Sequence, residues 1–299
     1  MTKKILITGI NGFIGSNCVD FFTQKGHKIF GIDISGENSQ NFILGEVNLE
    51  NLKSFNQKFD VIIHLAGSGT VGLAAKNPEL EYLKTVGSTE YILEYMRLYN
   101  KEAKLIYPSS AAVYGDAYES AIEEENQLNP ISIYGRHKIE VEKISEEYHR
   151  KFDLNINIIR FFSIYGEGLT KQLLWDFSNR VRQNFNAEIL PCFGTGEEKR
   201  DFVHIQDAIS LIELLINAEE KFVILNCGSG NTTKVSEVLN LIVKELDYKG
   251  KLIYDNLGKE GDPKSLVANI EKARLIQFNP KINVEDGIKK YVRWFKKNN

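Results

Sequence analysis

The sequence predicts an α/β fold: a doubly wound parallel sheet with a smaller C-terminal lobe. Short runs of apolar and β-branched residues recur along the first half of the chain, and longer helix-period segments separate most of them. The first of these runs ends in a glycine-rich turn that leads directly into a helix-period segment. Strands that alternate with helices in this way are typical of a parallel sheet covered by helices on both faces.

Five strands are predicted, each a buried run bounded by turn residues. They are KKILIT at 3–8, KIFGID at 28–33, VIIHLA at 61–66, KLIYPS at 104–109 and INIIRF at 156–161. One helix is expected from Asn77-Pro78 to about Asn100, and another from near Tyr134 to Lys151. After Gly166 the alternation ends, although the segment 222–227 is expected to return to the sheet.

Length and composition narrow the possible functions. With 299 residues the chain can form one large domain or two coupled lobes. The net formal charge is −3, so no overall basic field indicates nucleic acid or an anionic membrane as a partner. The opening residues MTKKILITG predict a buried strand, not a signal peptide, and no apolar run approaches the roughly 20 residues of a membrane helix.

Cysteines and histidines are few and scattered. Cys18, Cys192 and Cys227 lack CxxC spacing, which favours packed thiols in a reducing, cytoplasmic setting. The five histidines show no spacing typical of metal ligands, and we predict no metal site.

A GxxGxxG segment, Thr8-Gly-Ile-Asn-Gly-Phe-Ile-Gly15, lies between the first strand and the first helix. Glycines there allow a tight turn and a close approach to a pyrophosphate, and the helix N-terminus supplies unpaired N–H groups. Asp33 ends the next strand 18 residues after Gly15, near the spacing of a carboxylate that binds an adenosine ribose. Asp33 would repel a 2′-phosphate, which favours NAD over NADP. The alternative is that the glycines only permit close helix–strand packing.

The predicted NAD-binding residues lie at strand ends and at the starts of the following helices. They are Gly9, Asn11, Gly12, Phe13, Ile14, Gly15, Asp33, Ile34, Asn48, Leu49, Leu65, Ala66, Gly67, Tyr134, Lys138 and Phe161. For His64, which precedes Leu65, a structural hydrogen-bonding role is the leading interpretation.

The segment Tyr134-Gly-Arg-His-Lys138 places a phenol and an ammonium on one face of a predicted helix. A tyrosine works best as an acid or base when its pKa falls from about 10 toward 7, which takes about 4 kcal/mol in favour of the phenolate. An adjacent lysine and a nicotinamide cation together supply charge of the required sign. Ser109 and Ser110, at the end of a predicted strand, offer hydroxyls to the oxygen with which Tyr134 exchanges a proton.

TGxxGxxG, Asp33, SSAAVYG, YxxxK and the later RDFVHIQD together resemble the extended short-chain dehydrogenase/reductases. More narrowly, they resemble the NAD-dependent nucleotide-sugar epimerase/dehydratase family over essentially the whole chain. The resemblance implies that Tyr134 is the acid/base, that Lys138 lowers its pKa and holds the nicotinamide ribose, and that Ser110 orients the reacting oxygen. Hydride would move between the nicotinamide and a sugar carbon, usually C4.

The same resemblance implies two lobes, a partner and an assembly. A Rossmann-type NAD-binding domain is expected at 1–163 plus about 200–228, and a nucleotide-sugar-binding lobe at 164–199 plus about 229–299. Relatives often dimerise through the helices that correspond to 77–100 and 134–151, so a homodimer is expected. The partner is a nucleoside-diphosphate sugar, with neither nucleic acid nor membrane.

The resemblance also narrows the reaction. Family dehydratases carry an Asp-Glu pair where this chain has Ala111 and Ala112, which disfavours 4,6-dehydration and leaves hydride chemistry at one carbon. A 4-epimerase is favoured, with a 4-ketoreductase or 4-dehydrogenase as the alternative and a non-catalytic NAD sensor as a remote one. Thr85 and Ser163 stand where epimerases commonly have asparagine, so the sugar remains open.

The substrate-binding residues follow from the resemblance as well. Arg200 matches a diphosphate-binding arginine, Lys259 stands where an arginine is usual, and Phe193 lies where relatives pack a nucleobase, with a core role as the alternative. Lys171 and Gln172 lie in the segment that replaces the usual substrate helix. The predicted substrate-binding residues are Ser109, Ser110, Ser163, Lys171, Gln172, Phe193, Arg200 and Lys259.

Overall fold

The computed structural model describes residues 1–67, 69, 71–116, 120–257 and 263–299. The chain forms two compact units. The first consists of 1–115, 127–161 and 209–225, and the second of 116–126, 162–208 and 226–299.

Strands and α-helices are numbered separately along the chain. The strands are β1 (Lys4–Thr8), β2 (Lys28–Asp33), β3 (Phe42–Leu44), β4 (Val61–His64), β5 (Lys104–Ser110), β6 (Asn155–Phe161), β7 (Ser163–Tyr165), β8 (Ile189–Cys192), β9 (Lys199–Arg200), β10 (Phe202–His204), β11 (Phe222–Cys227), β12 (Thr233–Lys234), β13 (Lys251–Tyr254) and β14 (Ser265–Leu266). The helices are α1 (Phe13–Gln24), α2 (Leu49–Ser54), α3 (Val71–Lys76), α4 (Pro78–Tyr82), α5 (Ser88–Tyr99), α6 (Ile133–Phe152), α7 (Gln172–Gln183), α8 (Ile205–Asn217), α9 (Val235–Glu245), α10 (Glu271–Leu275) and α11 (Val284–Asn298).

A seven-stranded sheet in the order β11-β6-β5-β4-β1-β2-β3 forms the centre of the first unit. The pairs from β6 to β3 are all parallel. The five predicted strands are confirmed, and the segment 222–227 joins the sheet as β11. The short β3 was not predicted, because three residues carry too little periodicity. Ile5, Ile62 and Ile158 are fully buried, as expected for strands covered on both faces.

The helix predicted at 77–100 is not continuous. Asn77 caps α4 by accepting a hydrogen bond from the Leu80 N–H (3.1 Å), and Pro78 occupies the first turn. A π-helical turn at Leu83–Gly87 then separates α4 from α5. The apolar pattern of the sequence does not reveal this π-helical turn, because such a turn shifts the register of the helix without removing apolar residues. The second predicted helix is confirmed as α6, which Ser132 caps through the Gly135 N–H (3.1 Å).

The second unit is built from short strands and helices. It contains the pairs β7–β10 and β8–β13 and the three-stranded sheet β12-β9-β14. Asp201, which follows β9, is fully buried and accepts hydrogen bonds from the backbone N–H groups of Ser229, Gly230 and Ala268. Trp175 packs against Phe295, with ring centroids 5.4 Å apart. Across the described ranges, no helix is long and apolar enough to cross a membrane.

Candidate active site

The carboxyl ends of β1 and β4 form the point where the sheet order reverses. From β1 the chain continues to β2 and β3 on one side of β1. It then crosses to β4, which pairs with the other side of β1 and places His64 opposite Thr8. Ligands of doubly wound sheets bind in the crevice at such a point. Nine of the sixteen predicted NAD-binding residues lie on the loops that leave these two strands or in the first turn of α1.

The glycine loop is closely packed against the next strand end. Gly9 has a φ of 67°, and a Cβ there would lie 2.8 Å from the backbone of Leu65 and Ala66. A Cβ on Gly15 would lie 2.3 Å from the Gly9 carbonyl oxygen. Gly12 caps α1 without any side-chain hydrogen bond, so the first N–H groups of α1, in Phe13 and Ile14, are left for a ligand. This arrangement fits the pyrophosphate of a dinucleotide.

Asp33 lies beside this loop at the end of β2. Its carboxylate accepts hydrogen bonds from the Asn11 N–H (2.9 Å) and from the N–H (3.1 Å) and hydroxyl (3.0 Å) of Ser35. These three bonds leave acceptor capacity on the carboxylate for a ribose diol. Ile34 follows with an exposed side chain. The residues therefore fit the adenosine end of NAD.

His64 belongs to a fully satisfied hydrogen-bond chain. Its Nδ1 lies 2.7 Å from the Thr8 hydroxyl, which accepts from the Ala66 N–H (3.1 Å), and its Nε2 lies 3.2 Å from the Ser88 hydroxyl. Burial lowers the pKa of His64 to about 3, and the charge of Lys138 acts in the same direction. The neutral imidazole therefore has the structural role predicted for it, and it ties β1 and β4 to α5.

The other predicted NAD-binding residues also belong to the first unit. Asn48 caps α2 by accepting from the Asn51 N–H (2.8 Å), and Leu49 follows it. Gly67 has a φ of 145° and lies against the π-helical turn. Phe161 ends β6 opposite Ser110 on β5.

Ser110, Tyr134 and Lys138 come together at the end of β5. The Ser110 hydroxyl forms a hydrogen bond with that of Tyr134. The Lys138 Nζ lies 5.6 Å from the Tyr134 ring centroid, and it donates to the Tyr107 hydroxyl (3.0 Å) and the Pro108 carbonyl (2.8 Å). These bonds use two of the three ammonium N–H groups. A hydroxyl, a phenol and an ammonium in one small volume can move a proton to or from a bound oxygen.

Burial dominates the acid–base behaviour of the pair. It raises the pKa of Tyr134 to about 12, although the Ser110 hydrogen bond acts in the opposite direction. It lowers the pKa of Lys138 to about 8, while the negative charges of Glu81 and Glu142 oppose that change. The protein groups thus keep Tyr134 a phenol at neutral pH. The predicted fall toward 7 is not produced by Lys138 alone, because desolvation of the phenolate outweighs it.

Ser109 is bound into a buried ion-pair network behind this site. Its hydroxyl donates to Glu142 Oε1 (2.5 Å), and Glu142 receives two parallel bonds from Arg160 at 3.0 and 2.7 Å. The Arg160 Nη1 donates to the Tyr114 hydroxyl (2.8 Å). The Ser109 hydroxyl thus spends its donor on Glu142, and its role in binding substrate stays a prediction. Glu142 was not predicted as a site residue, although its position four residues after Lys138 is the signal that places it on the same helix face.

The remaining substrate-binding predictions fall in the second unit. Ser163 begins β7. Lys171 is the N-cap residue of α7, and Gln172, the first residue of that helix, has a φ of 65°. Phe193 is 76% exposed beneath the Arg180 guanidinium (5.2 Å), so the alternative of a core phenylalanine is wrong. Arg200 ends β9 and donates to the Lys199 carbonyl (2.9 Å). Lys259 lies outside the described residues.

Comparison with known proteins identifies the family. Residues 5–228 match the model of the NAD dependent epimerase/dehydratase family, which is about three quarters of the chain. The chain belongs to this family. It is an α/β enzyme that uses NAD, as the glycine loop, Asp33 and the resemblance noted above predicted.

Similar proteins match this family member along nearly its whole length. A protein of Methanocaldococcus jannaschii named "Putative UDP-glucose 4-epimerase" is 30% identical, with 99% of each chain covered. The UDP-glucuronate 4-epimerase of Thermodesulfobacterium geofontis is 26% identical, covering 98% of this chain and 96% of the relative.

Two solved structures share the fold throughout. The UDP-glucose 4-epimerase of Thermotoga maritima, solved with UDP-glucose, superposes with a TM-score of 0.89 at 25% identity, covering 99% of both chains. The UDP-glucuronic acid 4-epimerase of Bacillus cereus, in complex with UDP-glucuronic acid and NAD, gives a TM-score of 0.87 at 25% identity, covering 99% of this chain and 100% of the other.

Proposed function

We propose that the protein is an NAD-dependent nucleotide-sugar 4-epimerase. The observation that carries this proposal is the Ser110–Tyr134–Lys138 constellation at the end of β5, in the same compact unit as the glycine loop and Asp33. Similarity to 4-epimerases over nearly the full chain supports this reaction over others in the family.

The proposed chemistry is a reversible oxidation at C4 of the sugar. NAD, when bound, supplies a nicotinamide that accepts a hydride and returns it, and its positive charge favours the phenolate of Tyr134. Tyr134 takes the proton of the C4 hydroxyl as the C4–H bond breaks, which leaves a 4-keto sugar. The ketone turns over in the site, and the same phenol returns the proton as hydride adds to the opposite face. The proton and the hydride both return, so the cycle is redox-neutral.

The other site residues act around this proton transfer. Ser110 holds the C4 oxygen within reach of Tyr134, and the remaining N–H of Lys138 binds the nicotinamide ribose. Removing water from this buried pair strengthens both interactions.

We propose the second unit as the nucleotide-sugar-binding lobe. Arg200 and Lys259 would bind the diphosphate, and the exposed ring of Phe193 would stack on the nucleobase, with Ser163, Lys171 and Gln172 near the sugar. Phe193 supports this role because an aromatic ring 76% exposed to water gains by stacking on a base.

We also infer a homodimer. Leu83, Tyr91 and Leu98 are exposed along the π-helical turn and α5, at spacings that place them on one helix face. A dimer mass in solution is expected, and a monomer at working concentration would contradict it. Three buried free cysteines favour the cytoplasm, where the product would serve polysaccharide biosynthesis.

The test is to incubate the purified protein, with and without added NAD, with UDP-, dTDP-, GDP- and CDP-sugars. Products are separated by stereochemistry while absorbance at 340 nm is followed. A C4 epimer without net NADH is the expected result. Accumulating NADH, or activity only on a keto-sugar, would instead establish a 4-dehydrogenase or 4-ketoreductase.

A further inference from the structure

A second carboxylate, Glu81, is buried next to the proposed catalytic pair. It is the fourth of the five residues of α4, with a side chain 0% exposed, and it takes no part in the reaction described above. Its Oε1 accepts a hydrogen bond from the Thr85 hydroxyl (2.6 Å), and its Oε2 is bonded to Nδ1 of His137. A buried carboxylate is costly unless such partners hold it.

His137 connects this carboxylate to the catalytic helix. It is the residue immediately before Lys138 in α6, and its ring packs edge-on against Tyr82 with centroids 5.2 Å apart. Thr85 lies in the π-helical turn, so that turn and α6 each supply one partner of the carboxylate. The carboxylate is therefore fixed in place, and its charge is not screened by water.

The negative charges of Glu81 and Glu142 both oppose the effect of burial on the pKa of Lys138. Of these two carboxylates, only Glu142 is paired with a permanently charged side chain. Glu142 is paired through two hydrogen bonds with the Arg160 guanidinium, so the two charges largely cancel. Glu81 has a neutral hydroxyl and an imidazole as its partners. The other groups around Lys138 are the phenols of Tyr107 and Tyr134 and the neutral His64.

We propose that Glu81 is a positioning residue for the reaction: held by Thr85 and His137, it is the internal counter-ion that keeps Lys138 an ammonium at neutral pH. The direction of its influence agrees, because Glu81 is the largest of the charges that oppose the effect of burial on the pKa of Lys138. Without it, Lys138 would lose its proton near neutrality and with it a charged contact for the nicotinamide ribose. The inference rests on the proposed NAD binding by Lys138.

The test measures NAD affinity against pH by titration calorimetry, which needs no sugar. In the wild type, affinity should fall as the pH rises through about 8, where Lys138 loses its proton. In Glu81→Gln, which has the same shape without the charge, the midpoint should fall by roughly half to one pH unit. Lys138→Met should bind NAD more weakly, and its affinity should not change with pH in this range. That result would assign the midpoint to Lys138.

His137→Gln is the matched control. It removes the imidazole but keeps the charge of Glu81, so it should not lower the midpoint. Equal downward shifts in both variants would mean that the contact is only structural, and an unchanged midpoint in Glu81→Gln would also overturn the proposal.

Thr85→Val is the second variant, should Glu81→Gln not fold. It removes one of the two side-chain hydrogen bonds that fix the carboxylate, so the negative charge is held less firmly near Lys138 and the midpoint should shift downward by a smaller amount. No shift would overturn the proposal. If the midpoints move as expected while no sugar is converted, the proposed function fails and this inference stands.

Discussion

The buried pair of Glu142 and Arg160 offers the sharpest test of how the site is held together. Both side chains are at most 5% exposed, and two parallel hydrogen bonds join them. Glu142→Gln keeps the shape of the side chain but removes the negative charge. It leaves the guanidinium buried beside the Tyr114 hydroxyl and ring, without the carboxylate that balances its charge. Arginine cannot escape this cost by losing its proton.

We expect Glu142→Gln to lower the free energy of unfolding by about 3–5 kcal/mol, the usual cost of breaking one half of a buried ion pair. This is a large share of the roughly 5–15 kcal/mol that stabilises a typical domain. The measurement is urea unfolding followed by circular dichroism, with the slope against urea checked for a change. Because the network includes Ser109, which precedes Ser110, turnover should fall as well.

The double variant Glu142→Met/Arg160→Met separates the cost of an unpaired charge from the value of the pair. Replacing both partners with apolar groups leaves no charge buried, so the double variant should be more stable than Glu142→Gln. A loss below about 1 kcal/mol in Glu142→Gln would refute the reasoning, since water or a rearranged side chain would then be compensating Arg160.

Three further outcomes are expected. Tyr134→Phe should reduce turnover by about 10²–10⁴-fold while NAD binding persists, because the variant keeps the ring but lacks the hydroxyl that exchanges a proton with the substrate. Tyr99→Phe is the control. Full activity in Tyr134→Phe would contradict the role of Tyr134. Gly15→Ala should weaken NAD binding in a fluorescence titration, since its Cβ would lie 2.3 Å from the Gly9 oxygen, whereas Gly72→Ala, with open space around it, should bind normally. Asp201→Asn should lower the melting temperature, because the new amide NH₂ group would face backbone N–H donors and cost about 1–3 kcal/mol for each N–H left unsatisfied. The control is Asp247→Asn at an exposed position, which should leave the melting temperature unchanged. Equal melting temperatures in the two variants would contradict the structure around Asp201.

Sequence predicted the parts of the site that depend on local pattern. The strand ends, the glycine loop, Asp33 and the helix bearing Tyr134 and Lys138 follow from periodicity, glycine spacing and capping. The order of strands then brings them together, because the carboxyl ends of neighbouring parallel strands share one edge of the sheet. Thr8 lies opposite His64, and Ser110 opposite Phe161, for this reason.

Partners distant in the sequence could not be predicted in this way. Nothing near Glu81 indicates that it is buried, since an acidic residue in the first turn of a helix is ordinarily exposed to water. Its environment depends on the π-helical turn, which the apolar pattern does not reveal. Tyr107 was likewise predicted only as part of a strand, yet its hydroxyl accepts a hydrogen bond from the Lys138 ammonium.

The charges around Lys138 show why these distant partners matter for function. A short motif can place a phenol and an ammonium on one helix face, but it cannot keep the ammonium charged once the helix is buried. Burial drives Lys138 toward its neutral form, and fixed negative charge nearby opposes that change. The charge of Glu142 is largely cancelled by that of Arg160. The protonation state of Lys138 therefore depends on Glu81 and on the hydrogen bonds of Thr85 and His137 that orient its carboxylate. A chain that kept Tyr134 and Lys138 but lost Glu81 would therefore keep the motif and change the pH at which it works.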